Sequence, residues 1–266
     1  MSHPQSDAVG IKPAVLCLSG LDPTGGAGIQ ADIETLFANG CHCLPVVTSL
    51  TVQDTRNVIR TQAVSADTLR RQIDAILADI PVLAIKIGLI DSLEVLALIA
   101  EVITDQPSIP VVADPVLKAG GGFSFSGEAL VEAYRRLIIP GVTVLTPNTD
   151  ELKTLSPGFA SPELAAAALM DSGCQHVLLT GTHADTRDVT NTLFGRSTPP
   201  ESWSWPRLPG SYHGSGCTLA AALAAGLAKG YPMPKAAASA QTFTWQALQR
   251  GWSAGQGQIL PDRRSG

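Results

Sequence analysis

A cysteine at the start of an alanine-rich segment is the first candidate for chemistry in this sequence. The segment Gly214–Cys217 leads into the run Leu219–Lys229, whose small residues are typical of a helix that lies close to a sheet. Consecutive N–H groups at a helix N-terminus form a cradle for negative charge, and this position also lowers the pKa of a thiol. The residues of this cradle are Gly214, Ser215, Gly216 and Cys217. They indicate a site that stabilises developing charge, and a small buried cysteine at a helix start is the alternative.

Acidic and amide side chains follow two other apolar runs. Asp114 ends the run Ile109–Asp114, and Asn148 and Glu151 come just after the run Val142–Thr146. Mg²⁺ takes carboxylate ligands and keeps several waters, so these side chains are candidates for a magnesium site. A helix N-cap at Asn148, with Glu151 completing a capping box, would explain the second pair equally well. The two interpretations are compatible.

A glycine-rich stretch follows the first apolar run. Residues 19–28, the glycine loop, read SGLDPTGGAG and lead into the helical run Gly28–Ala38. Small residues let the backbone approach a ligand closely, and the N–H groups of a first helical turn face that ligand. Part of the loop resembles the dinucleotide-binding fingerprint, with Ala31 at its third glycine position. However, the loop is long and carries Asp22, and no acidic residue is suitably placed after the second strand. A flexible connection between strand and helix, without a ligand, is the alternative interpretation.

Short apolar runs alternate with amphipathic segments along the whole chain. The predicted strands are Ala14–Leu18, Leu44–Thr48, Val82–Gly88, Ile109–Asp114, Val142–Thr146, His176–Thr180 and Val189–Phe194. The predicted helices are Gly28–Ala38, Ala66–Ala78, Ser92–Thr104, Glu128–Ile138, Pro162–Ser172, Ser215–Lys229 and Pro234–Arg250. Strands that are apolar throughout are covered on both faces, so the pattern predicts an α/β fold with a mainly parallel sheet. Its ligand site would lie beyond the carboxyl ends of the strands.

Composition and charge exclude several classes of protein. The chain has 266 residues, of which 45% are hydrophobic and 15% charged, and its formal net charge is −5. These values predict a folded chain with a large core and argue against nucleic acid or an anionic membrane as the main partner. The longest weakly polar run, Gly216–Ala228, is shorter than the roughly 20 residues of a membrane helix. Since residues 1–13 also lack the pattern of a secretory signal, we expect a cytoplasmic protein.

The sequence reads as one domain with two looser ends. We expect a flexible N-terminus over residues 1–13, a single domain over 14–250, and a loose C-terminal tail over 251–266. Five cysteines without an export signal predict reduced thiols. Cys41 and Cys43 flank His42, but no further ligands for a zinc ion are evident nearby.

Six motifs together identify the chain with a known family. They read GLDPTGGAGIQAD at 20–32, TSLTVQDT at 48–55, KIGL at 86–89, ADPV at 113–116, TPN at 146–148 with Glu151, and HGSGCTL at 213–219. Their types and order resemble the ribokinase-like superfamily, and within it the hydroxymethylpyrimidine/phosphomethylpyrimidine kinases of thiamine biosynthesis. The resemblance covers roughly Ala14 to Leu248. It implies a ribokinase-like three-layer αβα sandwich and a homodimer.

The resemblance also implies an activity and a set of site residues. The expected reaction is ATP-dependent and magnesium-dependent phosphorylation of 4-amino-5-hydroxymethyl-2-methylpyrimidine, and then of its monophosphate to the diphosphate. The pyrimidine would contact Gly20, Asp22, Ala27, Thr51, Gln53 and Leu89. The nucleotide would contact Asp114, Asn148, Thr180 and Gly181, with Asp114 and Glu151 near the metal ion and the stretch after Arg207 nearby. Cys217 would stand beside the reacting hydroxyl and accept its proton, while the rest of the cradle holds the transferring phosphoryl group.

Four departures from the family pattern bear on the nucleotide end and the pocket. The family sequence Lys-Gly-Gly-His is Thr180–His183 here, which removes a phosphate-neutralising charge. An Asp-x-Leu pattern is replaced by Asn191–Leu193, the flap reads Lys118–Gly122 in place of an Ala-Lys-Ser-Gly type sequence, and Leu89 replaces a common methionine. A branch that retains only the first phosphorylation step, or that uses an altered substrate, would fit these changes.

Three other functions are compatible with parts of the sequence. A pyridoxal or pyridoxine kinase would use the same fold and a similar cysteine-containing cradle. A catalytically weakened pyrimidine-binding regulatory protein would account for Thr180 at the position of the lysine. A cysteine hydrolase built on Cys217 would need a histidine base, and His176, His183 and His213 show no distinctive spacing for one.

Overall fold

The fold is described from a computed structural model of the chain, which describes residues 12–118, 121–125, 127–182 and 186–264. The expected flexible N-terminus, residues 1–13, lies outside the described residues except for its last two positions. Ala119 and Gly120 of the altered flap and His183 of the altered nucleotide motif also lie outside them.

Within these ranges, nine strands form a single sheet. They are β1 (Ala14–Leu21), β2 (His42–Gln53), β3 (Val58–Ala63), β4 (Val82–Ile87), β5 (Val111–Ala113), β6 (Val144–Leu145), β7 (His176–Leu179), β8 (Asp188–Gly195) and β9 (Thr198–Pro206). Their order across the sheet is β3-β2-β1-β4-β5-β6-β7-β8-β9. The pairs from β2 to β7 are parallel, whereas β3 at one edge and β8 and β9 at the other pair antiparallel.

Helices cover both faces of this sheet. In the described part of the chain they are α1 (Gly28–Ala38), α2 (Ala66–Asp79), α3 (Leu93–Asp105), α4 (Glu128–Ala133), α5 (Thr149–Leu155), α6 (Pro162–Asp171), α7 (Ser215–Ala228) and α8 (Met233–Gln249). A π-helical turn, Tyr134–Ile138, continues α4 and is followed by a 3₁₀ turn, Ile139–Gly141. The side chains of α1, α7 and α8 pack in one apolar cluster, and those of α2, α3, α5 and α6 pack in another. The predicted three-layer ribokinase-like fold is therefore confirmed.

The alternation of side chains along β1 shows how one strand supplies both layers. Leu16 and Leu18 point into the cluster with α2 and α3, whereas Val15 and Cys17 point into the cluster with α1 and α7. All four are buried, as the continuous apolar run predicts for a strand covered on both faces. Each predicted strand and helix is present, β3 and β9 are additional elements, and α5 is the helix that the capping interpretation of Asn148 requires.

The C-terminal segment, residues 251–264, differs from the loose tail that the sequence suggested. Trp252 pairs with Leu260 in a short antiparallel bridge, and Ile259 exchanges backbone hydrogen bonds with Ser211 and His213. Arg263 is only 3% exposed. The sequence did not predict this order, because it comes from hydrogen bonds to distant parts of the chain and not from a periodic apolar pattern.

Candidate active site

A cavity of about 1030 Å³ opens at the carboxyl ends of the parallel strands. Every residue predicted for the site lines it, except Gly181. The expected pyrimidine end and the expected nucleotide end thus belong to one continuous space. The roles of the individual residues stay predictions.

The glycine loop is organised around a buried carboxylate. Asp22, which is 4% exposed, accepts hydrogen bonds from the backbone N–H groups of Thr24 and Ala27, both at 2.8 Å. It also accepts one from the Thr24 hydroxyl and lies 2.9 Å from Nε2 of His213. Burial opposes ionisation, but hydrogen bonds from His213 and Gln53 prevail and hold the pKa of Asp22 well below its usual range. The loop is therefore shaped around a charged side chain.

The glycine loop and the cradle touch through their backbones. Gly214 has a φ of +76°, and a Cβ at this position would lie 2.0 Å from the carbonyl oxygen of Gly26. A Cβ at Gly26 would in turn lie 2.4 Å from the His213 ring. Only glycine satisfies both the positive φ and the close approach at position 214. This contact places the expected pyrimidine loop directly against the N-terminus of α7.

Two residues of β2 and one from the segment after β4 form the wall beside the glycine loop. The Thr51 hydroxyl donates to the Leu21 carbonyl at 2.8 Å, and Gln53 is half-buried in the same wall. Leu89 is 8% exposed, and a Cβ at Gly20 would lie 2.9 Å from its Cδ2. The wall is thus an apolar side chain flanked by two polar ones, which suits a small heteroaromatic ring.

The Cys217 thiol differs from its expected ionisation. Its position at the N-terminus of α7 predicts a lowered pKa, yet burial raises the pKa of Cys217 to about 11. The Lys86 ammonium opposes this shift, while the carboxylates of Asp114 and Asp32 add to it. Burial thus opposes the lowering of the thiol pKa that the position at the helix N-terminus predicts.

A buried ion pair lies beneath the cradle. Lys86 and Asp32 are both 0% exposed, and Nζ of Lys86 lies 2.8 Å from Oδ1 of Asp32. The Ser19 hydroxyl donates to Asp32 at 2.6 Å and accepts from Lys86 at 3.0 Å. Burial alone would lower the pKa of Lys86, but Asp32 and the other nearby acidic groups raise it well above its usual value. Lys86 therefore stays protonated, and its charge is balanced by that of Asp32.

Two further carboxylates, those of Asp114 and Glu151, line the cavity. Burial raises the pKa of Asp114 to about 6, although Lys86 opposes the shift. Burial, and then the charge of Asp114, raise the pKa of Glu151 to about 8. Among the described residues, no three His, Cys, Asp or Glu side chains gather into a group that could hold a metal ion. A metal here would therefore bind two carboxylates and complete its shell with other ligands.

Asn148 and Glu151 form the helix cap that their spacing predicts. The Asn148 side chain accepts from the N–H groups of Asp150 and Glu151, both at 2.9 Å. The Glu151 carboxylate accepts from the N–H of Asn148 at 2.9 Å, which completes a capping box on α5. The cap is confirmed, and it fixes the Glu151 carboxylate toward Asp114.

The expected nucleotide end is built by β7, β8 and α8. The N–H of Thr180 donates to the Pro147 carbonyl at 2.9 Å, and that of Gly181 donates to the Asn191 side chain at 3.0 Å. Asn191 then donates to the buried Gln241 at 3.0 Å, so the amide at the altered Asp-x-Leu position anchors the loop internally. Arg207 donates to the Thr182 carbonyl at 2.8 Å and lines this end of the cavity.

Some residues of the site carry roles that the sequence did not assign. A single lysine within the apolar strand Val82–Ile87 was the available signal for the ion pair of Lys86 with Asp32. No sequence pattern indicated that His213 contacts Asp22, or that Gln258 lines the cavity. These contacts join residues that are far apart in sequence.

Comparison with known proteins decides the family. The family model described as phosphomethylpyrimidine kinase matches residues 22–262. The chain belongs to this family. The family predicted from the motifs, and with it the predicted enzyme class of a kinase, are confirmed. Among the described residues of this family member, no helix has the length and apolarity to cross a membrane.

Individual relatives of this kinase agree with the family. It is 36% identical over 251 residues to the hydroxymethylpyrimidine/phosphomethylpyrimidine kinase of Streptomyces coelicolor, with 92% of each chain covered. It is 28% identical to the pyridoxal kinase from Staphylococcus aureus in complex with AMP-PCP and pyridoxal, with a TM-score of 0.86, covering 96% of this chain and 94% of that one. It is also 28% identical to the phosphomethylpyrimidine kinase from Clostridium difficile, with a TM-score of 0.78, covering 88% of this chain and 99% of that one.

Proposed function

We propose that this kinase transfers the terminal phosphoryl group of ATP to the hydroxymethyl group of 4-amino-5-hydroxymethyl-2-methylpyrimidine. It then phosphorylates the monophosphate, giving the diphosphate used in thiamine biosynthesis. One observation carries the proposal: the glycine loop, the cradle and the Asn148–Glu151 cap all open into one cavity in a chain of this family. A ring and a nucleotide can therefore meet at Cys217.

The pyrimidine-binding end would hold the ring between Leu89 and the glycine loop. Gln53 offers an amide that can both donate to and accept from an aminopyrimidine edge. Asp22 shapes the loop from behind through its hydrogen bonds to Thr24 and Ala27. The ring would thus be oriented with its hydroxymethyl group toward the cradle.

Alignment and charge neutralisation are the main requirements of phosphoryl transfer. The N–H groups of the cradle would hold the transferring group, and Lys86, which also lines the cavity, stays protonated beside Asp32. Because the pKa of Cys217 is about 11, the side chain is a protonated thiol, which would hydrogen-bond to the hydroxyl and orient it. As the bond to ADP breaks and the new O–P bond forms, the hydroxyl becomes more acidic, and its proton would pass to an oxygen of the transferred phosphoryl group.

Asp114 and Glu151 fit a magnesium ion by their chemistry. The charge of Asp114 raises the pKa of Glu151, and a divalent cation would relieve that repulsion. Mg²⁺ is commonly bound by one or two carboxylates together with water and substrate phosphates. When bound, it neutralises charge on the ATP phosphates. Asn148 and the loop at Thr180 and Gly181 would line the nucleotide, with Arg207 as the cation at that end.

The test of this function is ATP consumption with Mg²⁺ in the presence of the hydroxymethylpyrimidine or of pyridoxal, with product masses recorded. The proposal predicts monophosphate and then diphosphate of the pyrimidine. Formation of the monophosphate alone would show that the protein performs only the first step. We would then attribute the loss of the second step to the altered nucleotide end. Absence of turnover with both rings would overturn the proposal in favour of a binding protein. Cys217→Ala serves as the inactive control.

Pyridoxal phosphorylation is the second candidate. It is favoured by the TM-score, which is higher for the pyridoxal kinase of S. aureus than for the phosphomethylpyrimidine kinase of C. difficile. Both substrates are small heteroaromatic rings with a hydroxymethyl group. Turnover of pyridoxal alone would establish this second function and retain the proposed role of the cradle.

We further propose a cytoplasmic homodimer. Three apolar side chains of the β2–β3 hairpin are exposed: Leu50 (43%), Val52 (46%) and Ile59 (69%). Exposed apolar patches of this kind mark association surfaces. Light scattering after gel filtration tests the proposal, since Ile59→Lys would convert a dimer into a monomer and Ile33→Lys on α1 would leave it unchanged.

A further inference from the structure

Arg263 lies buried in the C-terminal segment. It is 3% exposed, and its guanidinium donates hydrogen bonds in three directions. Nε donates to the Thr218 hydroxyl at 2.9 Å, Nη2 donates to the carbonyl of Gly26, and Nη1 donates to Glu34 at 3.0 Å. The first two acceptors belong to the helix of the cradle and to the glycine loop.

These contacts form one hydrogen-bonded chain between the two halves of the site. Thr218, which accepts from Arg263, donates its hydroxyl to the carbonyl of Gly214 at 2.8 Å. The chain therefore runs from Gly26 through Arg263 and Thr218 to Gly214, the first residue of the cradle. The planar guanidinium presents its donors in a fixed fork, so it holds both acceptors at a defined separation.

The surroundings leave Arg263 little freedom. Nη2 of Arg263 would lie 2.9 Å from a Cβ at Gly214, so the guanidinium is packed against the point where the loop meets the cradle. The contact with Glu34 is different, since the Glu34 side chain is 43% exposed. A partly exposed ion pair contributes little, and the two buried hydrogen bonds are the ones that matter here.

We propose that Arg263 is a positioning residue for phosphoryl transfer, which acts by holding the glycine loop at a set distance from the cradle. The inference rests on the proposed function for its kinetic test. Loss of Arg263 would let the ring move relative to Cys217 without disturbing the nucleotide end. A displacement of about 1 Å at a reacting centre lowers rates by up to about 100-fold.

The kinetic test compares Arg263→Met with the unmodified chain, using the ring that the unmodified chain phosphorylates. We expect kcat/KM for the ring to fall about 10- to 100-fold, and the KM for ATP to stay within about twofold. Guanidinium ion added to Arg263→Ala should restore part of the lost activity. Unchanged constants in folded Arg263→Met would overturn the proposal. The proposal would also be overturned if a smaller folded fraction accounted for the whole fall in kcat while both KM values stayed unchanged.

Two controls separate positioning from general destabilisation. Glu34→Gln removes the exposed ion pair but leaves both buried hydrogen bonds, and Arg264→Met removes a neighbouring arginine whose side chain is 86% exposed. Both should retain the kinetic constants of the unmodified protein.

Thr218→Val interrupts the same series of hydrogen bonds at its other end. Because the two residues act in series, kcat/KM of the double variant of Arg263→Met and Thr218→Val should be no lower than that of the less active single variant.

Hydrogen exchange tests the positioning independently of turnover. The amides of residues 20–28 should exchange faster in Arg263→Met than in Arg264→Met, since the loop loses its tie to the cradle. Equal exchange in the two variants would overturn the proposal. If the unmodified chain phosphorylated neither ring, the proposed function would fail, and this measurement would still decide whether Arg263 fixes the loop.

Discussion

Nε2 of His213 lies 2.9 Å from Oδ2 of Asp22, across 191 residues of sequence. The histidine is 14% exposed at its side chain and the carboxylate 3%, so the contact is shielded from water. It joins the glycine loop to the residue just before the cradle. The contact of Arg263 with Gly26 reinforces the same junction from the opposite side of the loop.

Replacement of Asp22 should therefore loosen the ring-binding end. In Asp22→Asn one oxygen remains to accept, whereas the carboxylate accepts from Thr24, Ala27 and His213. We expect the free energy of unfolding to fall by about 1–3 kcal/mol and the KM for the ring to rise. Urea unfolding and steady-state kinetics measure the two effects. Asp79→Asn at the exposed end of α2 is the matched control, and an equal response of both variants would contradict the prediction.

Loss of the Cys217 thiol should affect turnover and spare nucleotide binding. Cys217→Ala should lower kcat by about 10²-fold, because the hydroxyl loses the side chain that orients it. The affinity for a non-hydrolysable ATP analogue, measured by calorimetry, should not change. Cys43→Ala removes a thiol outside the cavity and should be fully active. Near-normal turnover of a folded Cys217→Ala would exclude Cys217 from the reaction.

The stability of the metal-free protein should decrease as the pH rises from about 4 to about 8. The pKa values of Asp114 and Glu151, about 6 and about 8, lie above the ordinary 3.8 and 4.5. The folded protein thus keeps protons that the unfolded chain has already lost, and ionisation at higher pH destabilises the fold. Tm measured in EDTA across this range checks the slope, which Glu151→Gln should reduce.

Mg²⁺ should reverse this pH effect. Because it binds the ionised carboxylates, it should raise Tm more at pH 8 than at pH 6. An equal increase at both values, or a Tm in EDTA that rises toward pH 8, would be incompatible with a magnesium site at Asp114 and Glu151.

The buried ion pair should be far more sensitive than an exposed one. Lys86→Met leaves the Asp32 carboxylate buried without its partner, and we expect a loss of about 3–5 kcal/mol in the free energy of unfolding. Adding Asp32→Asn to this variant should recover part of the loss. The exposed pair of Arg71 with Asp67 is the control, since Arg71→Met should cost no more than about 1 kcal/mol. Urea titrations of the three variants and the unmodified chain would reject the prediction if the double variant were the least stable.

The elements with a periodic or continuous apolar pattern could be predicted from the sequence, and the strands at the two edges of the sheet could not. Runs such as Ala14–Leu18 are apolar because both faces of a central strand are covered. The strand β9 was missed because Thr198–Pro206 begins with two prolines in succession and carries mostly exposed residues. Such a segment is tolerated only at a sheet edge, where one side needs no partner. The short strand β3, also at an edge, lacked a continuous apolar pattern because most of its residues are exposed.

The site residues could be predicted as a set, while their charge states could not. Motifs place Asp114, Asn148 and Cys217 at the ends of strands or the starts of helices, and topology brings such positions together. The pKa of Cys217 depends on burial by residues from several elements, which no local spacing contains. Arg263 illustrates the same limit, since its three acceptors belong to two helices and a loop.

The contact of Arg263 with Gly26 has a consequence for the order in which the protein is made. The two residues are 237 positions apart in the chain. At about 5–20 residues per second, roughly 12–47 seconds separate their synthesis on the ribosome. During that interval the glycine loop exists without the donor that ties it to the cradle. A ribosome-bound chain would thus contain most of the sheet while the glycine loop still lacks its tie to the cradle, until Arg263 has emerged.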